Sequence, residues 1–161
     1  MRMVSLSRIV SYWSQIQGDR VAIYHEGETI TWNQLDRETN RLARAYESLG
    51  VSQDDFVTIA LPNGIEFFKS TIATWKAGAT PQPVSARLPK FERDQIVEVG
   101  KPRLITGVAD GSHEGYQTLP AGYEPDPAIS DEPLPEKIAT SFKAMTSGGS
   151  TGRPKLIVTT S

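Results

Sequence analysis

The feature that most constrains the fold is FVTIAL, a near-continuous apolar run over residues 56–61. A strand with one face in water alternates apolar and polar residues, whereas a strand covered on both faces is apolar along its length. The run therefore predicts a strand buried between two layers. After the break at residues 62–64, apolar residues recur at helical spacing at Ile65, Phe68, Ile72 and Trp75. A buried strand followed by an amphipathic helix is the unit from which α/β sheets are built.

Similar signals predict further helices and strands around this unit. The predicted helices end near Gly18, at Gly50, at Gly78 and at Gly100. The helix that ends at Gly50 begins with Thr31 and Gln34 in a capping-box pattern. The remaining strand signals are a hairpin over residues 21–31, an edge or loop segment over 79–84, and a strand over 103–106. The fold class is therefore α/β, with a sheet flanked by helices.

Residues 107–135 differ from the rest, because they contain five of the eleven prolines together with several glycines and acids. A long surface connection is favoured over a domain linker or a disordered loop. Beyond it, apolar and polar residues alternate over 141–145 and predict a strand that enters a glycine-rich segment. LIVTT (156–160) predicts a strand that leaves it, so the segment is expected to be strand–loop–strand.

Composition excludes several classes of protein. The chain has a net charge of −2, so no basic excess is present to neutralise nucleic-acid phosphates. It contains no cysteine, which excludes disulfides and thiolate metal sites. No segment approaches the ~18 apolar residues needed to span a bilayer, and the N-terminus lacks the features of a signal peptide. We therefore expect a cytoplasmic protein with no nucleic-acid partner and no integral membrane segment. Assembly as a homo-oligomer is left open.

The segment TSGGSTGRPK (146–155) has the chemistry of an anion-binding loop. Its glycines allow positive φ, so that several backbone N–H groups can point at one anion. The hydroxyl groups of Thr146, Ser147, Ser150 and Thr151 are further donors. Lys155 adds a positive charge, and Pro154 stiffens the approach to it. The alternative is a plain glycine/serine turn or linker, which glycine content alone does not exclude.

This segment is not the common nucleoside-triphosphate loop, in which lysine directly follows the last glycine and begins a helix. Here Arg153 and Pro154 intervene before the lysine, and the residues after it favour a strand. The balance of donors and charge nevertheless favours phosphate binding over a plain turn.

TSGGSTGRPK resembles the signature loop of the adenylate-forming enzymes, which include acyl-CoA synthetases, luciferases and the adenylation domains of peptide synthetases. Two earlier stretches, ITWNQLDRETNRLARAYESLGV (30–51) and FVTIALPNGIEFFKSTIATWKAGATPQPVSARLP (56–89), are also similar to that family. Within the second stretch, KAGATPQPVSARLP (76–89) resembles acyl-CoA ligases more than peptide-synthetase domains, and bile-acid or steroid-acid CoA ligases most of all. Position 149 is glycine where many members carry serine or threonine, and Leu156 stands where a glycine is common.

The resemblance implies that residues 1–161 are the N-terminal part of the large AMP-binding domain, with 107–135 as a connection. The rest of that domain and a C-terminal domain would lie beyond. The implied activity is an ATP- and Mg²⁺-dependent carboxylic acid–CoA ligase of the fatty-acid type, with CoA as co-substrate. The segment alone is expected to be inactive, with no catalytic residue or metal ligand in it. The implied contacts to ATP phosphates are Thr146, Ser147, Gly148, Gly149, Ser150, Thr151, Gly152 and Lys155.

Two alternatives stay open at this point. The chain could be a stand-alone, non-catalytic nucleotide- or anion-binding module, or part of a peptide-synthetase adenylation domain. Among residues of other interest, His25 and His113 are expected to be surface residues, because neither has a cluster of ligands near it in sequence. Trp13, Trp32 and Trp75 fall on or beside apolar stripes and are expected to lie in the core.

Overall fold

The computed structural model describes residues 5–147 and 153–160. Within these ranges the helices are α1 (Ile9–Gln17, after a 3-10 turn at Leu6–Arg8), α2 (Trp32–Ser48), α3 (Ile65–Lys76) and α4 (Lys90–Gly100). The strands there are β1 (Val21–His25), β2 (Glu28–Thr31), β3 (Phe56–Ile59), β4 (Thr80–Pro83), β5 (Leu104–Thr106), β6 (Gln117–Leu119), β7 (Ser141–Thr146) and β8 (Leu156–Thr160).

The described core is a parallel sheet in the order β4-β3-β5-β6. Val57, Thr58 and Ile59 in β3 are all fully buried, which confirms the prediction of a strand covered on both faces. One face of the sheet packs against α2 and α3, and the other packs against α4. The prolines of β4 are accommodated because that strand lies at the edge of this sheet. The predicted α/β class, a sheet flanked by helices, is confirmed, and the structure adds that the central sheet is parallel.

The start of α2 follows the predicted capping box. The backbone N–H of Gln34 donates to Thr31 Oγ1 at 3.2 Å, and the Thr31 N–H donates to Gln34 Oε1 at 2.9 Å. Two backbone donors that would have no partner at a helix start are thereby satisfied.

The end of α4 differs from the prediction. Gly100 is the last helical residue, and the left-handed cap is Lys101, with φ +46°. Gly100 is required for a different reason: a Cβ there would lie 2.8 Å from Oε1 of the buried Gln82 side chain in β4. Gly100 is therefore needed for the close packing of α4 on the sheet, and not for the turn that ends the helix.

The proline-rich connection contains β6, which composition did not indicate, because β6 forms by pairing in parallel with β5. The rest of the connection carries few regular backbone hydrogen bonds, so its later part depends on side chains of α2 for its position.

Three arginines of α2 bind this later part. Arg41 Nε donates to the Ile129 carbonyl at 2.8 Å, and Arg37 pairs with Asp131 at 2.8 Å. Arg44 donates to three backbone carbonyls within residues 130–133. The connection is therefore fixed against α2 over residues 129–133.

Two expectations about single side chains are wrong. His113 is buried, with its side chain 2% exposed, because the segment after β5 folds back onto α4. Trp13 is 37% exposed and lies against the Trp32 ring at the surface side of α1, with the ring centroids 6.1 Å apart. Trp75 and Trp32 are half-buried.

Candidate functional site

The glycine-rich segment begins and ends on neighbouring strands. β7 and β8 pair antiparallel, and Thr146 lies opposite Leu156. The two strands expected on either side of the segment are therefore present. Because they pair up to this position, Ser147 and Lys155 meet at the base of the loop.

Two hydrogen bonds close that base. The Ser147 N–H donates to the Lys155 carbonyl at 2.9 Å, and the Lys155 N–H donates to Ser147 Oγ at 3.2 Å. The oxygen of the Ser147 hydroxyl therefore accepts within the loop, while its hydrogen stays able to donate to a ligand. Ser147 acts first as a structural residue of the loop, which the sequence reasoning did not foresee.

The cationic side of the loop base is open to solvent. Lys155 and Arg153 are exposed. Across residues 5–147 and 153–160, no carboxylate lies within salt-bridge distance of the Lys155 ammonium. The charge is thus available to an anion. Of the other predicted contacts, Thr146 is half-buried at the end of β7, whereas Gly148, Gly149, Ser150, Thr151 and Gly152 lie outside the described residues.

A groove of about 370 Å³ lies beside the loop base. Thr146, Ser147 and Pro154 line one side of it, and Glu92 and Gln95 of α4 line the other. The sequence reasoning missed this groove, because nothing in the local patterns shows that β7 lies next to β4 and α4. Polar and apolar residues line the groove in about equal measure, and it adjoins the loop base, so a ligand held by the loop could extend into it.

The position of the loop depends on contacts between β7 and the central sheet. Trp75 Nε1 donates to the Phe142 carbonyl at 2.7 Å, and Thr80 Oγ1 donates to the Ser141 carbonyl at 2.9 Å. Just before β7, the Thr140 N–H donates to an Asp54 carboxylate oxygen at 2.7 Å. These bonds reach the first residues of β7, so the hairpin is oriented relative to α3 and β4.

Lys76, which precedes Ala77-Gly78, has a structural role, because its ammonium group is held by neighbouring side chains and backbone. Its ammonium donates to Asp36 Oδ1 at 2.7 Å, to the Asp36 carbonyl at 3.0 Å and to Asn40 Oδ1 at 2.7 Å. Burial lowers the pKa of Lys76, and the hydrogen bond and charge of Asp36 act in the opposite direction. All three N–H donors are occupied, so the group ties α3 to α2 and is not free for chemistry.

No group of three or more histidine, aspartate or glutamate side chains that could hold a metal ion occurs in the described part of the chain. Among the same residues, no helix is both long enough and apolar enough to cross a membrane.

Comparison with known families gives the class of protein to which the chain belongs. The model of the family described as "AMP-binding enzyme" matches residues 10–161, and the chain belongs to this family. The resemblance to adenylate-forming enzymes is thereby confirmed at the level of the family.

Similar sequences among curated proteins include peptide synthetases, whereas the sequence analysis predicted a CoA ligase. A probable non-canonical nonribosomal peptide synthetase of Salinispora arenicola is 28% identical over 88% of this chain and 2% of its own length. A dimodular nonribosomal peptide synthase of Bacillus subtilis is 25% identical over 99% of this chain and 7% of its own length. The chain therefore spans a small part of these curated relatives.

The solved structures share the fold. The peptide synthetase FmoA3, bound to α-methyl-L-serine-AMP, has a TM-score of 0.84 at 19% identity, with 98% of this chain and 18% of that chain covered. A fatty acyl CoA synthetase of Mycobacterium tuberculosis has a TM-score of 0.82 at 18% identity, with 97% of this chain and 34% of that chain covered. Both kinds of enzyme thus occur among the structural neighbours, and neither acceptor is singled out by the fold.

Proposed function

We propose that the chain is the N-terminal segment of an ATP-dependent ligase that activates a carboxylic acid as an acyl-adenylate. The observation that carries this proposal is the loop base. In a member of the AMP-binding family, the exposed Lys155 pairs through its backbone with Ser147, and Thr146, Ser147 and Pro154 line a groove beside this base.

In such a reaction a carboxylate oxygen attacks the α-phosphorus of ATP, and the bond from that phosphorus to the bridging oxygen of pyrophosphate breaks. Negative charge then grows on the departing pyrophosphate. A lysine and hydroxyl donors placed at the β- and γ-phosphates stabilise this charge, which is larger in the transition state than in bound ATP. Lys155 would supply the charge, and Thr146 and the Ser147 hydroxyl hydrogen would supply directed donors.

Mg²⁺ is the usual companion of ATP in this family, and its chemistry is to neutralise phosphate charge. The described residues offer no carboxylate cluster for it, so no step is assigned to the metal here.

The acceptor in the second step is proposed to be a thiol, which attacks the acyl carbon and displaces AMP. The sequence KAGATPQPVSARLP (76–89), which resembles acyl-CoA ligases more than peptide-synthetase domains, favours CoA. The peptide-synthetase relatives favour the thiol of a carrier protein as the alternative candidate. An acid–CoA ligase remains the proposal, and the carrier protein is the alternative outcome of the same experiment.

The first step is tested by ATP–pyrophosphate exchange in the full-length natural protein. We expect Lys155→Ala to lower the exchange rate about ten- to hundredfold, because a hydrogen bond to a charged group contributes about 1.5–3 kcal/mol. Lys90→Ala is the matched control, since Lys90 is an exposed lysine that pairs with Asp94 on its own helix and does not line the groove. Exchange that is unchanged in Lys155→Ala would remove the loop from the mechanism. Binding of ATP without any exchange in the wild type would instead favour a non-catalytic nucleotide-binding module.

The acceptor is tested on the same protein with preformed adenylate. Free CoA and a carrier protein that bears its thiol arm are offered separately, and thioester formation is followed by mass spectrometry. Transfer to CoA alone supports the acid–CoA ligase. Transfer to the carrier protein alone contradicts it and assigns the chain to the peptide-synthetase type.

A further inference from the structure

Another cavity, of about 170 Å³, lies at the carboxyl ends of the central strands and shares no lining residue with the groove at the loop base. Leu61, Thr106 and Leu119 reach it from the ends of β3, β5 and β6. The proposed adenylation reaction gives this cavity no role.

Its place in the topology is the one where α/β sheets bind ligands. The connection that leaves β3 runs through α3 to β4 on one side, whereas the connection that leaves β5 runs to β6 on the other. β3 and β5 are neighbours, so a crevice opens between their carboxyl ends, outside the sheet. The segments that follow β3 and β5 lie close together before they separate. An added Cβ at Gly107, just after β5, would lie 2.6 Å from the carbonyl oxygen of Ala60, just after β3.

The floor of the cavity is a row of three buried hydroxyl groups. Tyr46 Oη and Ser70 Oγ are 2.9 Å apart, and Ser70 Oγ and Thr106 Oγ1 are 3.3 Å apart. Three hydroxyl hydrogens serve these two short contacts, so the group at one end of the row can turn its hydrogen from the more distant Tyr46–Thr106 contact toward a ligand. Burial raises the pKa of Tyr46, which keeps this group a neutral phenol and hence a donor. The floor can therefore donate to one acceptor atom of a ligand.

The outer wall is the proline-rich connection, which is held in place over the crevice. The Gly122 N–H donates to Glu66 Oε1 at 2.6 Å, at the first turn of α3. The Lys69 ammonium lies 2.8 Å from a Glu38 oxygen and 3.9 Å from a Glu124 oxygen. Tyr123 and Pro125 complete this wall. The connection is therefore held over the crevice, where it would cover a bound ligand.

The charges at the rim do not favour an ionic ligand. Three carboxylates, Glu38, Glu66 and Glu124, line the cavity together with two cations, Arg41 and Lys69. Both cations already have partners, because Arg41 pairs with Asp131 and Lys69 pairs with Glu38. An added anion would meet an excess of negative charge. An added cation would lose its hydration in a mainly apolar cavity, where Glu66 already accepts from the Gly122 N–H and Glu124 is mostly exposed.

We propose that this cavity binds a small neutral molecule with a ring-sized apolar body and one hydroxyl or carbonyl oxygen. The apolar body lies against Leu42, Leu61 and Leu119, and the oxygen accepts from the hydroxyl row. The size fits, since apolar cavities of about 150 Å³ are known to hold a benzene molecule. The inference is independent of the proposed adenylation.

Phenol is the probe, titrated into the full natural protein with its leucine methyl groups labelled for NMR. We expect saturable shifts of the methyl groups of Leu42, Leu61 and Leu119, with benzoate at least tenfold weaker than phenol. Absence of saturable shifts at these leucines overturns the proposal. Equal affinity for benzoate overturns the assignment of a neutral ligand.

The hydroxyl row is tested at its two ends with Thr106→Val and Tyr46→Phe, each of which removes one hydroxyl at nearly constant volume. We expect phenol affinity to fall about fivefold in the variant that loses the donating end, as one net hydrogen bond predicts, while benzene affinity is unchanged. Phenol affinity equal to that of the wild type in both variants overturns the role of the row. Should either variant fail to fold, the comparison of phenol with benzene in the wild type decides the same point, since the row predicts tighter binding of phenol.

Discussion

Gly100 gives the sharpest test of the packing of α4 on the sheet. In an exposed helix, replacing glycine with alanine stabilises the fold by roughly 1 kcal/mol, because alanine has the higher helix propensity. Here the new Cβ would lie 2.8 Å from Gln82 Oε1 and 2.9 Å from Nε2. Such distances require the amide to move. We therefore expect the sign of the usual effect to be reversed.

The Gln82 amide has little freedom to move. Its side chain is fully buried, and its Oε1 accepts from Thr58 Oγ1 at 2.7 Å. Within the described residues, Nε2 has no hydrogen-bond partner, so rotation of the amide would also break its one bond. Overpacking of this kind costs about 1–3 kcal/mol. After the helix-propensity gain is subtracted, Gly100→Ala should lower the free energy of unfolding by up to about 2 kcal/mol.

The background variant Gln82→Ala isolates the clash. With the amide removed, Gly100→Ala should be neutral or should stabilise by up to about 1 kcal/mol. Urea denaturation of the four proteins then gives the coupling free energy, expected to be about 1–3 kcal/mol in favour of the double variant. If Gly100→Ala changes stability by the same amount in both backgrounds, the close approach does not limit this helix and the reasoning is wrong.

Three further predictions concern other parts of the molecule. Burial and the charge of Arg93 lower the pKa of His113, so stability should be complete above pH 6.5 and fall as the pH drops toward the folded-state pKa; His113→Gln should flatten this slope in urea denaturation, and an unchanged slope would contradict it. Arg44→Ala, which loses the carbonyl contacts of residues 130–133, should cost about 1–3 kcal/mol, against about 0–1 kcal/mol for the exposed Arg37→Ala; equal losses would show that the carbonyl contacts add nothing. Residues 1–161 alone should bind Mg-ATP more weakly than the micromolar range in calorimetry, because each phosphate contact nets only about 1 kcal/mol; micromolar affinity would refute this.

What the sequence predicted well depends on near neighbours. The capping box of Thr31 and Gln34 needs a spacing of three residues, and the burial of β3 is visible in the six letters FVTIAL (56–61) that contain it. The strands on either side of the glycine-rich segment were predicted for the same reason. In each case the residues that decide the structure adjoin one another in the chain.

What the sequence did not predict depends on distant partners. β6 is three residues long and exists because β5 offers it an edge. His113 is buried because Arg93 and Asp94 on α4 lie against it, which no pattern around position 113 indicates. The role of Ser147 in closing the loop required the register of β7 on β8. The groove beside the loop likewise required the placement of α4.

The segment TWKAGATP (74–81) belongs to a stretch that resembles the family, and it positions the strand that precedes the glycine-rich loop. Trp75 and Thr80 hold the first residues of β7, while Lys76 ties α3 to α2. Gly78, at φ +76°, leaves room for Lys137, whose Cβ would lie 2.7 Å from an added Cβ. Lys137 lies shortly before β7 in the chain. The features that make this stretch recognisable therefore fix the start of the strand that carries Thr146 and leads to Ser147. At the proposed phosphate site they would act by position rather than by contact.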